Sequence, residues 1–288
     1  MDSHTWQRVY QAIKQCDKLI SRFGRRPSFS DARIAAMYVW SVAHDRPLCW
    51  ACRRENYGGC FRPRRLPSVS QFCRRLRTPR IQQLLEAVHD RLADARRPSP
   101  VCYVDGRPFP VGAFSKDRDA KRGPHSGGFA RGYKLHALVT EDRRVLRWSV
   151  TSLNLSEQTV AEALIESIPA GVSLNLVLGD GNYDSGALYD KVAERNGRLV
   201  TPLPNNAGKG HRRQSPSRLE AVAAWEGIAG YVYQSRGEVE RCFGAQSSYG
   251  GGLAPLPAWV RTLPRVRRWI GVMLVLYHAR LVLRTAVS

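Results

Sequence analysis

Val101 to Gly106 reads VCYVDG. Val, Cys, Tyr and Val favour a buried, pleated strand, whereas Asp and Gly do not. The residues therefore predict a core strand that delivers Asp105 to its end and stops. Leu174 to Asp180, LNLVLGD, repeats the pattern: an apolar run, then Asp180, with Gly181 following. Two core strands that each finish in an acid would set two carboxylates side by side, which is costly unless a cation lies between them.

The rest of the composition says what such a site could act on. The chain has 288 residues, enough for one large domain or two ordinary ones with a substantial core. Its formal charge is +21 and its pI about 10.4, an excess that implies a polyanionic partner, most simply nucleic acid. Of the 45 basic residues 38 are Arg and seven Lys, a bias that suits bidentate phosphate binding and GC-rich coding equally well. Seven scattered cysteines and a polar N-terminus, MDSHTWQRVYQ, predict reduced thiols and a soluble cytoplasmic protein. The most apolar segment, Trp269 to Tyr277, is nine residues long and too short to cross a bilayer, so no membrane is expected. Paired acids in a strongly basic chain point to a metal-dependent enzyme acting on phosphodiesters.

Residues 1–98 read as a helical, DNA-binding region. Ser30 is the expected N-cap of a helix through DARIAAMYVWSVAH, and SVSQFCRRLRT followed by PRIQQLLEAVHDRLADARR resembles two helices of a helix-turn-helix. His44, Cys49, Cys52 and Cys60 include one C-x2-C pair without a second, so packing explains them better than zinc. Residues 115–132 predict a charged, glycine-rich mobile loop. GYKLHALVT alternates in strand fashion, with Lys134 and His136 on one face, lining a DNA channel or facing solvent. A hairpin partner, RVLRWSVTSL, follows a turn at 141–142. Helices are expected at 156–168, capped by Ser156, and at 183–197, where Asp184 reads as an N-cap. RLVTPLP makes a short strand, residues 205–224 read as irregular, and the remainder as helical. This order predicts a mixed α/β sheet flanked by helices rather than a doubly wound parallel one.

A third acid would complete a metal site, and YQSRGEVERCFGAQS (233–247) offers Glu238 and Glu240. On a regular helix Glu240 shares a face with Tyr233, Arg236, Phe243 and Ser247, whereas Glu238 points ~160° away, which selects Glu240. Tyr-x2-Arg-x3-Glu, here Tyr233, Arg236 and Glu240, resembles the signature of DDE-class insertion-sequence transposases. DGNYDS (180–185), YVDG (103–106) and GYKLH (132–136) are similar to the segments around that family's second acid, its first acid and the strand after it. LPSVSQFCRRLR is similar to the region preceding its catalytic domain.

The resemblance implies a ribonuclease H-like catalytic domain over residues 99–288, with Asp105, Asp180 and Glu240 as catalytic residues and metal ligands. It implies two Mg²⁺ ions, replaceable by Mn²⁺, about 4 Å apart and serving in-line phosphoryl transfer. Tyr233, Arg236 and Lys134 would contact DNA; the plainer roles are core packing for Tyr233 and an i, i+4 pair with Glu240 for Arg236. The implied partners are double-stranded DNA, as terminal inverted repeats and target, and a second copy of the chain, in a prokaryotic, nucleoid-associated setting. The family pattern ends in Lys seven residues after the Glu; here that residue is Ser247. A catalytically silent DNA-binding descendant and a nuclease that does not join ends stay open as alternatives.

Overall fold

The computed structural model describes residues 1–21, 27–97, 99–112, 114–125, 127–202, 215–224, 227, 229–247, 253 and 255–285. They form two compact units, Met1–Ala93 with Gln246–Ser288, and Asp94–Ala245. The C-terminal segment, expected within a catalytic domain running to 288, is thus grouped with the helical region.

The first unit contains α1 (Ser3–Leu19), α2 (Asp31–Ala43), α3 (Val69–Leu76), α4 (Pro79–Leu92) and α10 (Leu263–Thr285). Local chemistry starts these helices. Asp2 accepts from the Thr5 N–H, Ser30 from the Arg33 N–H, Ser68 and Gln71 form a capping box, and Pro79 opens α4. The half-buried arginines hold the helices together. Arg75 pairs with Asp31, and Arg80 reaches Asp31 at 2.6 Å, Asp17 at 3.0 Å and the Ile20 carbonyl at 2.9 Å. The exposed face of α4 carries Gln82, Gln83, Glu86, Asp90 and Arg91, so two of the three exposed arginines of the α3–α4 pair, Arg74 and Arg77, lie on α3 and its end.

The second unit is built on a mixed sheet. Its strands are β1 (Val101–Pro110), β2 (Lys121–His125), β3 (Gly128–Thr140), β4 (Val145–Ser152), β5 (Leu176–Leu178) and β6 (Arg198–Val200). The order is β2-β3-β1-β5-β6, with β4 on the other edge of β3; β3 is antiparallel to β1 and β4, and β1, β5 and β6 run parallel. This is the ribonuclease H-like mixed sheet that the resemblance implied. α5 (Glu157–Glu166) and α6 (Gly186–Ala193) cover one face through a core of Cys102, Val104, Leu138, Ile165, Leu188 and Leu199, among others.

Several local expectations are corrected. β1 does not stop at Asp105; its ladder with β3 continues from Cys102↔Thr140 to Pro110↔Gly132. Residues 115–132 are not a loose loop: β2 pairs with the start of β3, and Arg131 donates to the carbonyls of Ala120 (2.8 Å), Ser115 (3.0 Å) and Asp117. Lys134 and His136 do not face solvent, because both are buried where α5 covers the sheet. Pro216–Ala223, read as irregular, forms α7; residues 205–214 of that stretch, and 203–204 at the end of RLVTPLP, lie outside the described residues.

The long β1–β3 ladder depends on close backbone approach. A Cβ on Gly132 would lie 2.3 Å from the Phe109 carbonyl oxygen, whereas one on Gly112 would meet nothing within 4 Å. Gly132→Ala is expected to cost about 1–3 kcal/mol in urea unfolding, with Gly112→Ala near neutral; equal stabilities would refute the account.

Candidate active site

The parallel register brings the two aspartates together. β1 and β5 pair as Val101↔Leu176, Cys102↔Val177 and Tyr103↔Leu178, so Asp105 and Asp180 each lie two residues beyond the last pair. Adjacent strands are about 4.8 Å apart, and a two-residue step returns each side chain to the same face. Each carboxylate is then fixed by a following amide: the Gly106 N–H donates to Asp105 Oδ1 at 2.8 Å, and the Asn182 N–H to Asp180 Oδ1 at 2.8 Å. Asp180 caps the short 3₁₀ turn Gly181–Tyr183 by this bond.

The third acid arrives on a helical segment made of α8 (Gly230–Tyr233), a 3₁₀ turn (Gln234–Arg236) and α9 (Gly237–Ser247). The odd-numbered side chains of β1 carry it. Tyr103 Oη donates to Ser235 Oγ at 3.2 Å, and Arg107 Nη1 to the Phe243 carbonyl at 2.6 Å, with Asp105 between them on the strand. Val239 and Cys242 are buried beneath the helix. Glu238 turns away to Arg143 (3.0 Å) and Arg241, as its helical position predicts. Arg241, on the neighbouring face of the helix, is thereby paired with Glu238. Ser247 donates to the Leu253 carbonyl at 3.3 Å.

Arg236 is where the acids meet. Its Nη2 lies 3.6 Å from Asp105 Oδ2 and 3.8 Å from Asp180 Oδ2, and its Nη1 lies 3.6 Å from Glu240 Oε1. The Glu240 side chain is 69% exposed and that of Arg236 21%. Burial pushes the Asp105 carboxyl up to about 6; Asp180 and Glu157 add to the rise, while the Gly106 N–H and the Arg236 charge oppose it. The Tyr233 hydroxyl is also raised, first by burial, with Arg236 opposing and the three acids reinforcing.

Sequence reasoning missed Glu157, which opens α5 and pairs with Lys134 at 2.5 Å. Lys134 is thus an internal counter-ion rather than an exposed cation. Gly106 makes room for the pair: a Cβ there would lie 3.0 Å from Lys134 Cδ and 3.1 Å from Glu157 Oε1. The glycine after Asp105 is therefore packing space for a salt bridge, not a strand stop. Neighbouring His136 is held neutral, its pKa lowered to about 4 by burial and by the Lys134 charge, and its Nε2 bonds Thr151 at 2.9 Å. Asp184 is not an N-cap, since Ser185 holds that position; it binds Arg218 of α7 through two bonds of 2.7 and 2.8 Å. Tyr183 is fully buried in the core beneath α5 and α6.

The donor set suits a hard divalent cation: three carboxylates with a guanidinium already standing among them. Among the described residues no three His, Cys, Asp or Glu side chains converge closely enough to hold a metal ion as they stand. Arg236 stands between them, 3.6–3.8 Å from each.

Two tests follow from this geometry. The folded-state pKa of Asp105, about 6, exceeds its ordinary value of 3.8, so the protonated group favours folding below about pH 4 and that contribution is lost as pH rises through 6. In chelator, the wild type should lose up to roughly 3 kcal/mol across this window relative to Asp105→Asn; identical pH profiles would contradict the assignment. Glu157→Gln strands the Lys134 charge and should cost about 3 kcal/mol, most of it regained in Lys134→Met/Glu157→Leu, as read by chemical denaturation.

The family model described as the transposase DDE domain matches residues 96–254, more than half of the chain. No curated protein matches the sequence. Among solved structures, a cryo-EM structure of a piggyBac transposase synaptic complex with hairpin DNA is similar over 98% of this chain and 73% of that one. It shares 11% identity at a TM-score of 0.45, too remote to inform the chemistry. On the match across its sheet and acid-bearing helix, the chain belongs to the transposase DDE domain family.

Proposed function

We propose that the chain is the transposase of an insertion sequence, which binds the element's ends and cuts and joins DNA through Asp105, Asp180 and Glu240. The observation that carries this reading is the convergence of those three acids, two by strand register and one by helix, on a single guanidinium. In the proposal they hold two Mg²⁺ ions, with Mn²⁺ able to replace them. A bound divalent ion would supply charge neutralisation at the phosphate and activation of the attacking oxygen.

The protein's own contribution is preorganisation. The amides of Gly106 and Asn182 orient the two aspartates, and Tyr103 and Arg107 seat the helix that brings Glu240. The nucleophile is water when an end is nicked and a DNA 3′-hydroxyl at strand transfer. Tyr233 and Arg236 border the acids and would meet the phosphate next to the cut. Lys134, committed to Glu157, would influence DNA only from beneath the site.

The DNA-binding role proposed for residues 1–98 is supported by how its arginines divide. Arg75 and Arg80 are spent on Asp31 and Asp17, whereas Arg53, Arg54, Arg62, Arg64, Arg65, Arg74 and Arg77 are exposed. Such a surface fits phosphate contacts whose strength falls steeply with salt. Two element ends call for at least a dimer. No helix among the described residues is long and apolar enough to cross a membrane. Ser247, in place of the family lysine, favours the silent DNA-binding descendant as the second reading.

Cleavage of supercoiled plasmid carrying the element's ends, in Mg²⁺, separates the readings. Wild type should nick or excise and yield strand-transfer products, while Asp180→Asn binds DNA equally and cuts at least about 100-fold more slowly. DNA binding by both without cleavage by either, in Mg²⁺ or Mn²⁺, would leave the silent binder; cleavage without joined products would leave the nuclease.

A further inference from the structure

We propose that Arg236 is the resident counter-cation of the acid cluster: it holds Asp105, Asp180 and Glu240 together while no divalent ion is bound, and yields its place when one enters. This rests on the reading of those acids as metal ligands and assigns Arg236 a positioning role that precedes any contact with DNA.

The guanidinium is held loosely. Arginine normally grips a carboxylate through short, paired hydrogen bonds. The chain does this elsewhere, with Arg218 on Asp184 at 2.7 and 2.8 Å. Arg236 instead stands 3.6, 3.8 and 3.6 Å from three different acids, beyond hydrogen-bond distance from each, and its buried Nε has no hydrogen-bond partner among the described residues. It is attracted by charge and committed to no single acceptor.

Charge alone can do the work of placement. Asp105 and Asp180 repel one another in a partly buried site, with the more exposed Glu240 beside them, and one positive group among the three offsets part of that repulsion. A divalent ion does the same with twice the charge and with direct ligation, and it repels the guanidinium it meets. The arginine therefore leaves at the cost of three long contacts rather than of a bidentate pair. The freed guanidinium can then take a DNA phosphate, so that ion entry and DNA engagement favour each other.

The test is Mn²⁺ binding by the full chain without DNA, followed by the EPR signal of the free ion, together with melting in chelator. Arg236→Gln should bind Mn²⁺ at least about five-fold more tightly than wild type. It should also melt at lower temperature in chelator, with the deficit narrowing at saturating Mn²⁺. Unchanged or weaker Mn²⁺ affinity in Arg236→Gln would overturn the proposal. If Asp180→Asn leaves Mn²⁺ binding unaltered, the ligand assignment itself fails, a distinguishable result. Should Arg236→Gln not fold, labelling of wild type with an arginine-selective dicarbonyl decides. Arg236 should react faster with Mn²⁺ present than in chelator, and equal rates would overturn the proposal.

Discussion

Like-charge repulsion between Asp105 and Asp180 is the constraint around which the second unit is arranged. Parallel pairing of β1 with β5 forces the two acids into neighbouring positions on one face, and nothing in a hydrophobic sheet would tolerate that without compensation. The compensation comes from several directions: an amide on each carboxylate, and a guanidinium supplied by a helix that β1 itself seats. A fold stabilised by burial alone has no use for such an arrangement.

β1 serves both faces at once. Its even-numbered residues, Cys102 and Val104, join the core beneath α5 and α6. Its odd-numbered residues, Tyr103, Asp105 and Arg107, reach the segment between Gly230 and Ser247. Because both faces are covered, the amphipathic alternation of an exposed hairpin does not apply, and polar groups such as Lys134 and His136 are accommodated by pairing and neutralisation rather than by solvent.

Much of this was legible in the sequence. The mixed sheet, Ser30 as a cap and the hairpin turning after Thr140 follow from local rules, and Glu238 and Glu240 do point apart on α9, although a 3₁₀ turn at Gln234–Arg236 interrupts the regular helix assumed through Tyr233. Those rules failed where a long-range partner overrode them. Asp-Gly reads as a strand ending, yet the pairing of β3 along the whole of β1 and the Lys134–Glu157 ion pair explain the glycine differently. Asp184 reads as a cap because its partner, Arg218, lies 34 positions away and carries no local signal. Glu157 looked like any acid in a first helical turn, and only tertiary packing reveals the lysine it neutralises.

The shared register also says which changes of chain length the site can absorb. The two acids meet because each sits two steps beyond a paired residue, not because a fixed number of residues lies between them. Insertions in the turn after β3 or in the connection before β5 change the interval between the acids without moving either one. A single residue inserted between Tyr103 and Asp105, or between Leu178 and Asp180, would instead turn one carboxylate to the opposite face of the sheet. The spacing between such acids is therefore free to drift among related chains, while the two-residue step at each strand is not.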